Sequence, residues 1–191
     1  MTAKTTLERD YFETLYDRTD DPWSFASSAY EREKYDRSLA ALSRRYERAL
    51  EIGCSIGVFT ERLAKHCGEL IAIDISERAV RRARLRCAHQ PNVRIVRASF
   101  PRQSPPAKFD LITCCEVGYY WSDADLATAR DRIATSLAPD GELLLVHFLP
   151  HVDDYVREGD AVHEAFLSDR RFAQLDHFRA DRYRLDVLTL R

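Results

Sequence analysis

The chain has 191 residues, with 29 Lys and Arg against 31 Asp and Glu, so its formal net charge is −2. This length allows one sizeable core, and we expect a single domain. The balanced charge gives no electrostatic reason to expect a nucleic-acid partner or an anionic membrane surface, and no apolar run approaches the roughly 20 residues of a membrane span. Five cysteines without a Cys-x-x-Cys pattern predict free thiols, a cytoplasmic location and no bound metal.

Apolar periodicity predicts two helices and then a regular alternation of strands and helices. The predicted helices are 7–17, 29–45, 58–66, 76–88, 123–138 and 156–168. The predicted strands are 48–52, 69–74, 92–97, 109–115, 142–148, 171–179 and 182–190. Alternation implies parallel pairing with helices on both faces, and the last two strands imply an antiparallel hairpin at the sheet edge. Five arginines at 78–86 are interpreted as a solvated helix face.

The most informative feature is a glycine turn after the first predicted strand. Gly53 and Gly57 enclose it, and Glu51 precedes it. Such a turn lets a ligand approach the backbone near the positive end of the following helix dipole. Asp74 ends the second predicted strand 21 residues after Gly53, a spacing suited to ribose hydroxyls. Taken alone, the two glycines are explained equally well by the conformation of a tight turn and by a ligand site. Together with the two acids they predict a site for an adenosine-type cofactor.

The composition of the turn discriminates between cofactors. A dinucleotide site needs Gly-x-Gly-x-x-Gly, whereas Ser55 and Val58 occupy the second and third glycine positions here. The acid at Glu51 would repel a pyrophosphate and favour a cationic ligand. S-adenosylmethionine (SAM) carries a sulfonium and an amino group and has no phosphate. The turn therefore favours SAM over NAD.

Glu-x-Gly-x-x-x-Gly with a downstream Asp resembles the class I SAM-dependent methyltransferases. That resemblance implies a Rossmann-like α/β fold with a seven-stranded, mostly parallel sheet, an antiparallel edge strand and helices on both faces. The segments at 20–23 (Asp-Asp-Pro-Trp), 30–33 (Tyr-Glu-Arg-Glu) and 116–120 (Glu-Val-x-Tyr-Tyr) are similar to the nodulation N-methyltransferases of the NodS type. Those enzymes methylate the amine of a de-N-acetylated chitooligosaccharide. Ser55 departs from the glycine that many class I members carry.

On this basis we expect residues 1–46 to form a helical cap or lid and residues 47–191 to form the SAM-binding domain. Arg32 either holds the SAM carboxylate from a lid or lies on an amphipathic helix that caps the sheet. Ser99 stands where the family often has an Asp near the adenine, and Phe100 either stacks on the base or belongs to the core. The expected cofactor contacts are Trp23, Arg32, Glu51, Gly53, Cys54, Ser55, Gly57, Asp74, Ile75, Ser99, Phe100 and Cys115.

The candidate catalytic residues follow the fourth and fifth predicted strands. Glu116 is an acid followed by aromatic residues, and His147 ends its strand; each is a candidate proton acceptor, and each has a structural alternative. An amine acceptor needs only a weak base and fits these residues better than a hydroxyl. One of the following tyrosines is expected only to pack. The candidate acceptor-binding residues are Tyr119, Tyr120 and His151.

The sequence therefore predicts a SAM-dependent methyltransferase that releases S-adenosylhomocysteine (SAH) and acts on an amine of a small acceptor, such as a deacetylated amino sugar or oligosaccharide. Three alternatives stay open: an O-methyltransferase for a small-molecule or sugar hydroxyl, a nicotinamide-dependent oxidoreductase, and a non-catalytic SAM-binding module. No feature predicts the oligomeric state.

Overall fold

Alternating helices and strands make up most of residues 4–191, the part of the chain that the computed structural model describes. The helices are α1 (Arg9–Arg18), α2 (Ala29–Ala40), α3 (Val58–Leu63), α4 (Glu77–Arg86), α5 (Asp123–Ser136) and α6 (Gly159–Leu167). The strands are β1 (Tyr46–Ile52), β2 (Cys67–Asp74), β3 (Val93–Arg97), β4 (Phe109–Cys115), β5 (Leu137–Phe148), β6 (Phe172–Arg179) and β7 (Tyr183–Leu190). Short 3-10 turns are formed by Ala64–His66 and Gly118–Tyr120.

The strands form a seven-stranded sheet in the order β3-β2-β1-β4-β5-β7-β6. Neighbouring strands β1 and β2, β2 and β3, and β4 and β5 pair in parallel. Strand β7 is antiparallel to both β5 and β6. The mostly parallel sheet is confirmed. Its antiparallel strand lies one position inside the edge, because the second strand of the closing hairpin pairs with β5 and leaves β6 outermost.

The described residues separate into two compact units. One runs from Glu8 to Phe100 and contains α1 to α4 and β1 to β3. The other contains Pro101–Arg191 together with the described residues before Glu8. The predicted division of the chain after residue 46 stays a prediction, and residues 1–3 of that predicted cap lie outside the described residues.

Serine caps fix where three of the helices begin. The hydroxyl of Ser28 accepts from the backbone N–H of Glu31, and Ser76 and Ser122 each accept in the same way from the third residue of α4 and α5. These bonds satisfy backbone donors that the first helical turn leaves unpaired. Helix α2 ends at Ala40, five residues earlier than predicted. Strand β1 begins before the predicted residue 48, and its first residue, Tyr46, is already buried.

A bulge interrupts the first part of β5 where it pairs with β4. Phe109 pairs with Leu137, whereas Leu111 pairs with Glu142, so the intervening residues of β5 leave the ladder. Asp140 there has a φ of 58°, in the left-handed region that Asp tolerates better than most residues. The central strands are apolar and buried along most of their length, as parallel strands in such sheets are.

Candidate functional site

The glycine turn after β1 is built from backbone in the left-handed region. Gly53, Ser55 and Gly57 have φ angles of 79°, 48° and 80°. Glycine adopts these angles freely, whereas serine pays strain on the order of 1 kcal/mol. At Gly57 a Cβ would in addition lie 3.0 Å from the Cα of Ala83 in α4. Only a residue without a side chain lets α3 begin so close to α4.

Glu51 is a buried carboxyl two residues before the turn. It is 3% exposed, and no group among residues 4–191 forms a hydrogen bond with its Oε2 atom. Burial raises the pKa of Glu51 from 4.5 to about 8; the Thr60 hydroxyl opposes this shift and the charge of Asp74 adds to it. A buried polar atom without a partner is costly, so this oxygen is suited to a donor that the chain itself does not supply.

Asp74 ends β2 and ties it to the turn. Its Oδ2 accepts from the backbone N–H of Ser55 at 2.8 Å, and its Oδ1 accepts from that of Ser76 at 2.9 Å. Burial raises the pKa of Asp74 to about 6, and these backbone bonds hold it from rising further. Because each carboxylate oxygen can accept more than one hydrogen bond, Asp74 retains capacity for ligand hydroxyls.

Cys54 offers backbone rather than a side chain to the turn. Its thiol is buried in a core cluster that includes Ala72, Val80 and Ala83, and burial raises its pKa well above the ordinary value. The N–H groups of Gly53 and Cys54 both donate to Ile73 O, at 2.8 and 2.9 Å. These two backbone bonds join the Asp74 side chain in fastening the turn to the end of β2.

Helix α1 lies over this turn through Tyr16, a residue that the sequence analysis did not single out. The hydroxyls of Tyr16 and Ser55 are 2.5 Å apart. Tyr16 is 2% exposed, and its ring makes an edge contact with Trp23, which stacks on Phe25. In the sequence, the burial of Tyr16 is indicated only by its spacing of four residues from Phe12 on an amphipathic helix. The serine that replaces glycine in this turn therefore has a partner on α1.

Arg32 is exposed and donates to Ser27 O at 3.1 Å. The exposure of Arg32 fits the cap-helix alternative. Its contact with SAM from a lid stays a prediction. The buried cation of α2 is instead Lys34, 2% exposed, which forms an ion pair with Glu31 at 3.0 Å.

The remaining predicted cofactor residues differ in exposure. Ile75 and Ser99 are half-buried after β2 and β3, and Phe100 is buried, as the core alternative required. In the other unit, Cys115 is half-buried at the end of β4. Contact of these residues with a cofactor stays a prediction.

Glu116 follows β4 in a strained backbone conformation, with a φ of 57°. Its Oε2 accepts from the hydroxyl of Tyr119 at 2.7 Å and from the backbone N–H of Phe148 at 2.9 Å. Its own N–H donates to Val146 O at 2.8 Å. The carboxylate is half-buried, and these contacts fix its orientation.

The catalytic base predicted at His147 does not match the observed geometry. The ring is fully buried, and its Nε2 accepts from the backbone N–H of Gly118 at 3.1 Å. Its Nδ1 lies 3.1 Å from His163 Nε2. A base must reach the proton that it removes, and a buried ring with both nitrogens engaged cannot do so. The observed contacts of His147 therefore fit a structural role, the alternative to catalysis given for it above.

Tyr119 and Tyr120 are both buried and pack together edge to face. Tyr119 also stacks on Tyr155 with ring centroids 4.1 Å apart, so its face is covered by another ring. Tyr155, which the sequence analysis missed, is half-buried. Both rings pack, and the Tyr119 hydroxyl donates to Glu116; acceptor contacts by Tyr119 and Tyr120 stay predictions.

His151 is exposed between Glu158 at 2.7 Å and Asp153 at 3.0 Å, and hydrogen bonds to these acids raise its pKa. Its contact with an acceptor stays a prediction. Within residues 4–191 no group of three or more His, Cys, Asp or Glu side chains is arranged to hold a metal ion. None of the helices in that part of the chain has the length and apolar character needed to cross a bilayer.

The strand order, the glycine turn after β1 and the acid that ends β2 define a Rossmann-like protein of the class I methyltransferase type. The family model described as Nodulation protein S (NodS) matches residues 5–152, and the chain belongs to this family.

Individual relatives agree with this family. Nodulation protein S of Bradyrhizobium diazoefficiens is 38% identical over 129 residues, which cover 65% of this chain and 61% of that protein. Its counterpart in Sinorhizobium fredii is 37% identical over 128 residues, covering 65% and 59%. The chain thus spans about three fifths of the length of these curated relatives. The crystal structure of N-methyltransferase NodS from Bradyrhizobium japonicum WM9 in complex with SAH gives a TM-score of 0.83 at 27% identity, covering 94% of this chain and 96% of that one.

Proposed function

We propose that the chain is a SAM-dependent N-methyltransferase that transfers a methyl group to an amine of a small acceptor, such as a deacetylated amino sugar or oligosaccharide. The observation that carries the proposal is the buried carboxyl of Glu51, whose Oε2 lacks a hydrogen-bond partner among residues 4–191 beside a turn that has glycine at both ends. The NodS family and the NodS N-methyltransferase that binds SAH support it. No disulfide joins the five cysteines of residues 4–191, four of which are buried, and this supports a cytoplasmic setting.

The residues of the turn fit SAM. Glu51 is suited to the cationic amino group, because an ammonium supplies both the positive charge and the donor that its carboxyl lacks. Asp74 is suited to the ribose hydroxyls. The turn leaves room at the backbone near the start of α3. When bound, SAM supplies an electrophilic methyl group on a sulfonium.

Glu116 is the residue that we assign to the acceptor. The acceptor amine attacks the methyl carbon while the bond from that carbon to sulfur breaks and SAH leaves. An acceptor that arrives as an ammonium must first lose one proton to free its lone pair, and the Glu116 carboxylate receives that proton; the methylated product then forms as an ammonium. Tyr119 and Phe148 N hold one carboxylate oxygen, so the group keeps its orientation without an entropic cost at the moment of reaction.

Methyl transfer from SAM labelled in its methyl group tests the proposal. The acceptor panel contains amino sugars and chitooligosaccharide amines, each matched by its N-acetylated form, and phenols. We expect label in the free amines alone, together with one SAH per methyl group. Label in hydroxyls would replace the proposal by O-methylation, whereas SAM binding without transfer to any acceptor would indicate a non-catalytic module.

Substitution of Glu116 tests its role. Glu116→Gln keeps the acceptor oxygen for Tyr119 and Phe148 but removes the basic carboxylate, so we expect kcat to fall about 10²-fold or more at an unchanged Kd for SAM. Asp131→Asn, a change at an exposed carboxylate in the same unit that pairs with Arg171, is the control and is expected to keep kcat. A wild-type rate for Glu116→Gln would remove Glu116 from the proposed mechanism.

A further inference from the structure

A chain of buried hydrogen bonds leads from β7 to the turn that carries Glu116. Asp186 Oδ2 lies 2.5 Å from His163 Nδ1. His163 Nε2 lies 3.1 Å from His147 Nδ1, and His147 Nε2 accepts from Gly118 N at 3.1 Å. Asp186, His163 and His147 are each 0% exposed. Four elements, β7, α6, β5 and the turn after β4, thus meet in one line of polar atoms.

The direction of every bond in this chain follows from its last member. The backbone N–H of Gly118 can only donate, so His147 Nε2 must accept and His147 carries its proton on Nδ1. That proton is donated to His163 Nε2, which leaves the His163 proton on Nδ1, facing Asp186. Both rings are therefore neutral, and Asp186 is the charged end. Burial lowers the pKa of His163, in agreement with a neutral ring.

The charged end is held by other groups as well. Arg184 Nε donates to Asp186 Oδ2 at 2.9 Å, and Gln174 Nε2 donates to its Oδ1 at 2.6 Å. His177 Nδ1 lies 2.8 Å from the same Oδ1. Although burial alone would raise it, the pKa of Asp186 is lowered by its bonds with the two histidines and by the charge of Arg184. Arg184 is paired further with Asp160 and Glu164.

The turn at the other end of the chain needs support. Glu116 is a non-glycine residue with a φ of 57°, a conformation that persists only where the surroundings hold it. Three successive residues of β5 bind this turn. Val146 O accepts from Glu116 N, and the His147 ring accepts from Gly118 N. Phe148 N donates to Glu116 Oε2. At Gly118 a Cβ would lie 2.4 Å from Val162 Cγ1 and 3.0 Å from His147 Nε2, so the turn is also tightly packed.

We propose that Asp186, His163 and His147 are positioning residues that hold the 116–118 turn, and with it the Glu116 carboxylate, in the geometry for methyl transfer. This inference rests on the role of Glu116 in the proposed function. An apolar trio would fill the same space without the cost of burying a carboxylate and two imidazoles. The polar trio does what an apolar one cannot: it gives the Gly118 N–H a directed acceptor.

A pair of His147 variants separates positioning from packing. His147→Leu fills the space but removes the acceptor for Gly118 N–H. His147→Gln places an amide oxygen near the former Nε2 position and restores that acceptor. We expect His147→Leu to lower kcat by about 10²-fold with the KM for SAM unchanged, because a misplacement of about 1 Å has that effect, and His147→Gln to recover most of the loss. His177→Ala is the matched control, since His177 also binds Asp186 but lies outside the chain to Gly118; we expect it to keep kcat.

Three kinetic results would overturn the proposal: a wild-type kcat for His147→Leu, an equal loss in His147→Gln, or an equal loss in His177→Ala. Circular dichroism and SAH binding establish that each variant is folded.

Measurement on the wild-type protein decides the case if His147→Leu does not fold. With ¹⁵N-labelled histidine, NMR is expected to show His147 and His163 neutral and protonated on Nδ1 from about pH 5.5 to about pH 8. A proton on Nε2 of either ring, or titration of either within that range, would overturn the proposal. This readout needs no acceptor, so the two failures are distinguishable: a wild-type protein that methylates no amine would defeat the proposed function, whereas a wrong tautomer would defeat the hydrogen-bond chain itself.

Discussion

Glu51 shows, at the scale of one residue, a conflict between stability and function. A carboxyl with a pKa of about 8 in the folded protein and 4.5 when exposed must take up a proton on folding at neutral pH. The unfolded chain releases that proton first as the pH rises. The contribution of Glu51 is therefore fully present below about pH 4.5 and is lost progressively as the pH rises to about 8.

Replacing Glu51 by Gln should stabilise the ligand-free protein. The glutamine needs no proton, so at pH 7 we expect the free energy of unfolding to increase by up to about 3 kcal/mol and to lose much of its fall between pH 5 and 8. Urea unfolding at several pH values measures this. Glu69→Gln, at an exposed position on β2, is the control. Equal pH profiles for wild type and Glu51→Gln would contradict the raised pKa.

The same carboxyl predicts that SAM binding releases a proton. A bound cation beside Glu51 favours its ionised form, so the affinity for SAM should rise as the pH rises from about 6 to about 8. Calorimetry in buffers of different ionisation enthalpy measures the proton released. Binding by Glu51→Gln should be weaker and independent of pH over that range. A pH-independent affinity in the wild type would separate Glu51 from the cofactor.

At the scale of elements, α1 is fastened to the glycine turn and to α4. Tyr16 bonds to Ser55, Arg82 of α4 donates to Tyr16 O at 3.2 Å, and Arg78 pairs with Asp17 at 2.8 Å. Two arginines on the face predicted to be solvated therefore also dock a helix. Surface ion pairs contribute little individually, so the buried hydroxyl pair is the contact to test.

Tyr16→Phe should lower the free energy of unfolding by about 1 kcal/mol, because Ser55 loses its partner. Ser55→Gly loses the same bond but relieves the strain of a φ of 48°, so its cost should be smaller. The two changes remove one interaction, and the double variant should therefore match Ser55→Gly alone. Chemical denaturation of the four proteins measures this cycle. Additive costs would show that the hydroxyls act independently.

At the scale of the whole molecule, the order of elements follows from local patterns. Every predicted helix and strand is present within a few residues, because apolar periodicity, serine caps and the glycine turn act over short stretches of chain. The positions of Glu51 and Asp74 near the ends of β1 and β2 were predictable for the same reason, whereas their contacts with a cofactor stay predictions.

Contacts over long sequence distances were not predictable in this way. His147 was read as a base because a histidine at the end of a strand has the right chemistry, yet its partner His163 comes from α6. Tyr155 and Asp186 carry no local signal of their roles. The exposed Arg32 and the buried Lys34 lie two residues apart on α2, and only the packing of that helix distinguishes them.

Ligand-induced stabilisation is expected for the molecule as a whole. SAH at about 100 times its Kd should increase the free energy of unfolding by about 2.7 kcal/mol, because it binds the folded state alone. NAD at the same concentration should leave the melting temperature unchanged, since the turn lacks two of the glycines that a pyrophosphate needs. Thermal unfolding followed by circular dichroism compares them. Stabilisation by NAD and not by SAH would favour the nicotinamide-dependent oxidoreductase instead.

The position of Asp186 has a consequence for how the protein matures on the ribosome. Glu116 is synthesised 70 residues before Asp186, the acid that anchors its supporting histidines. A nascent chain that already contains the glycine turn, β4 and β5 can therefore form the bonds from β5 to the 116–118 segment but still lacks the acid that orients His163 and His147. If Glu116 is the proton acceptor as proposed, we expect its full support only once β7 has been synthesised and has paired with β5.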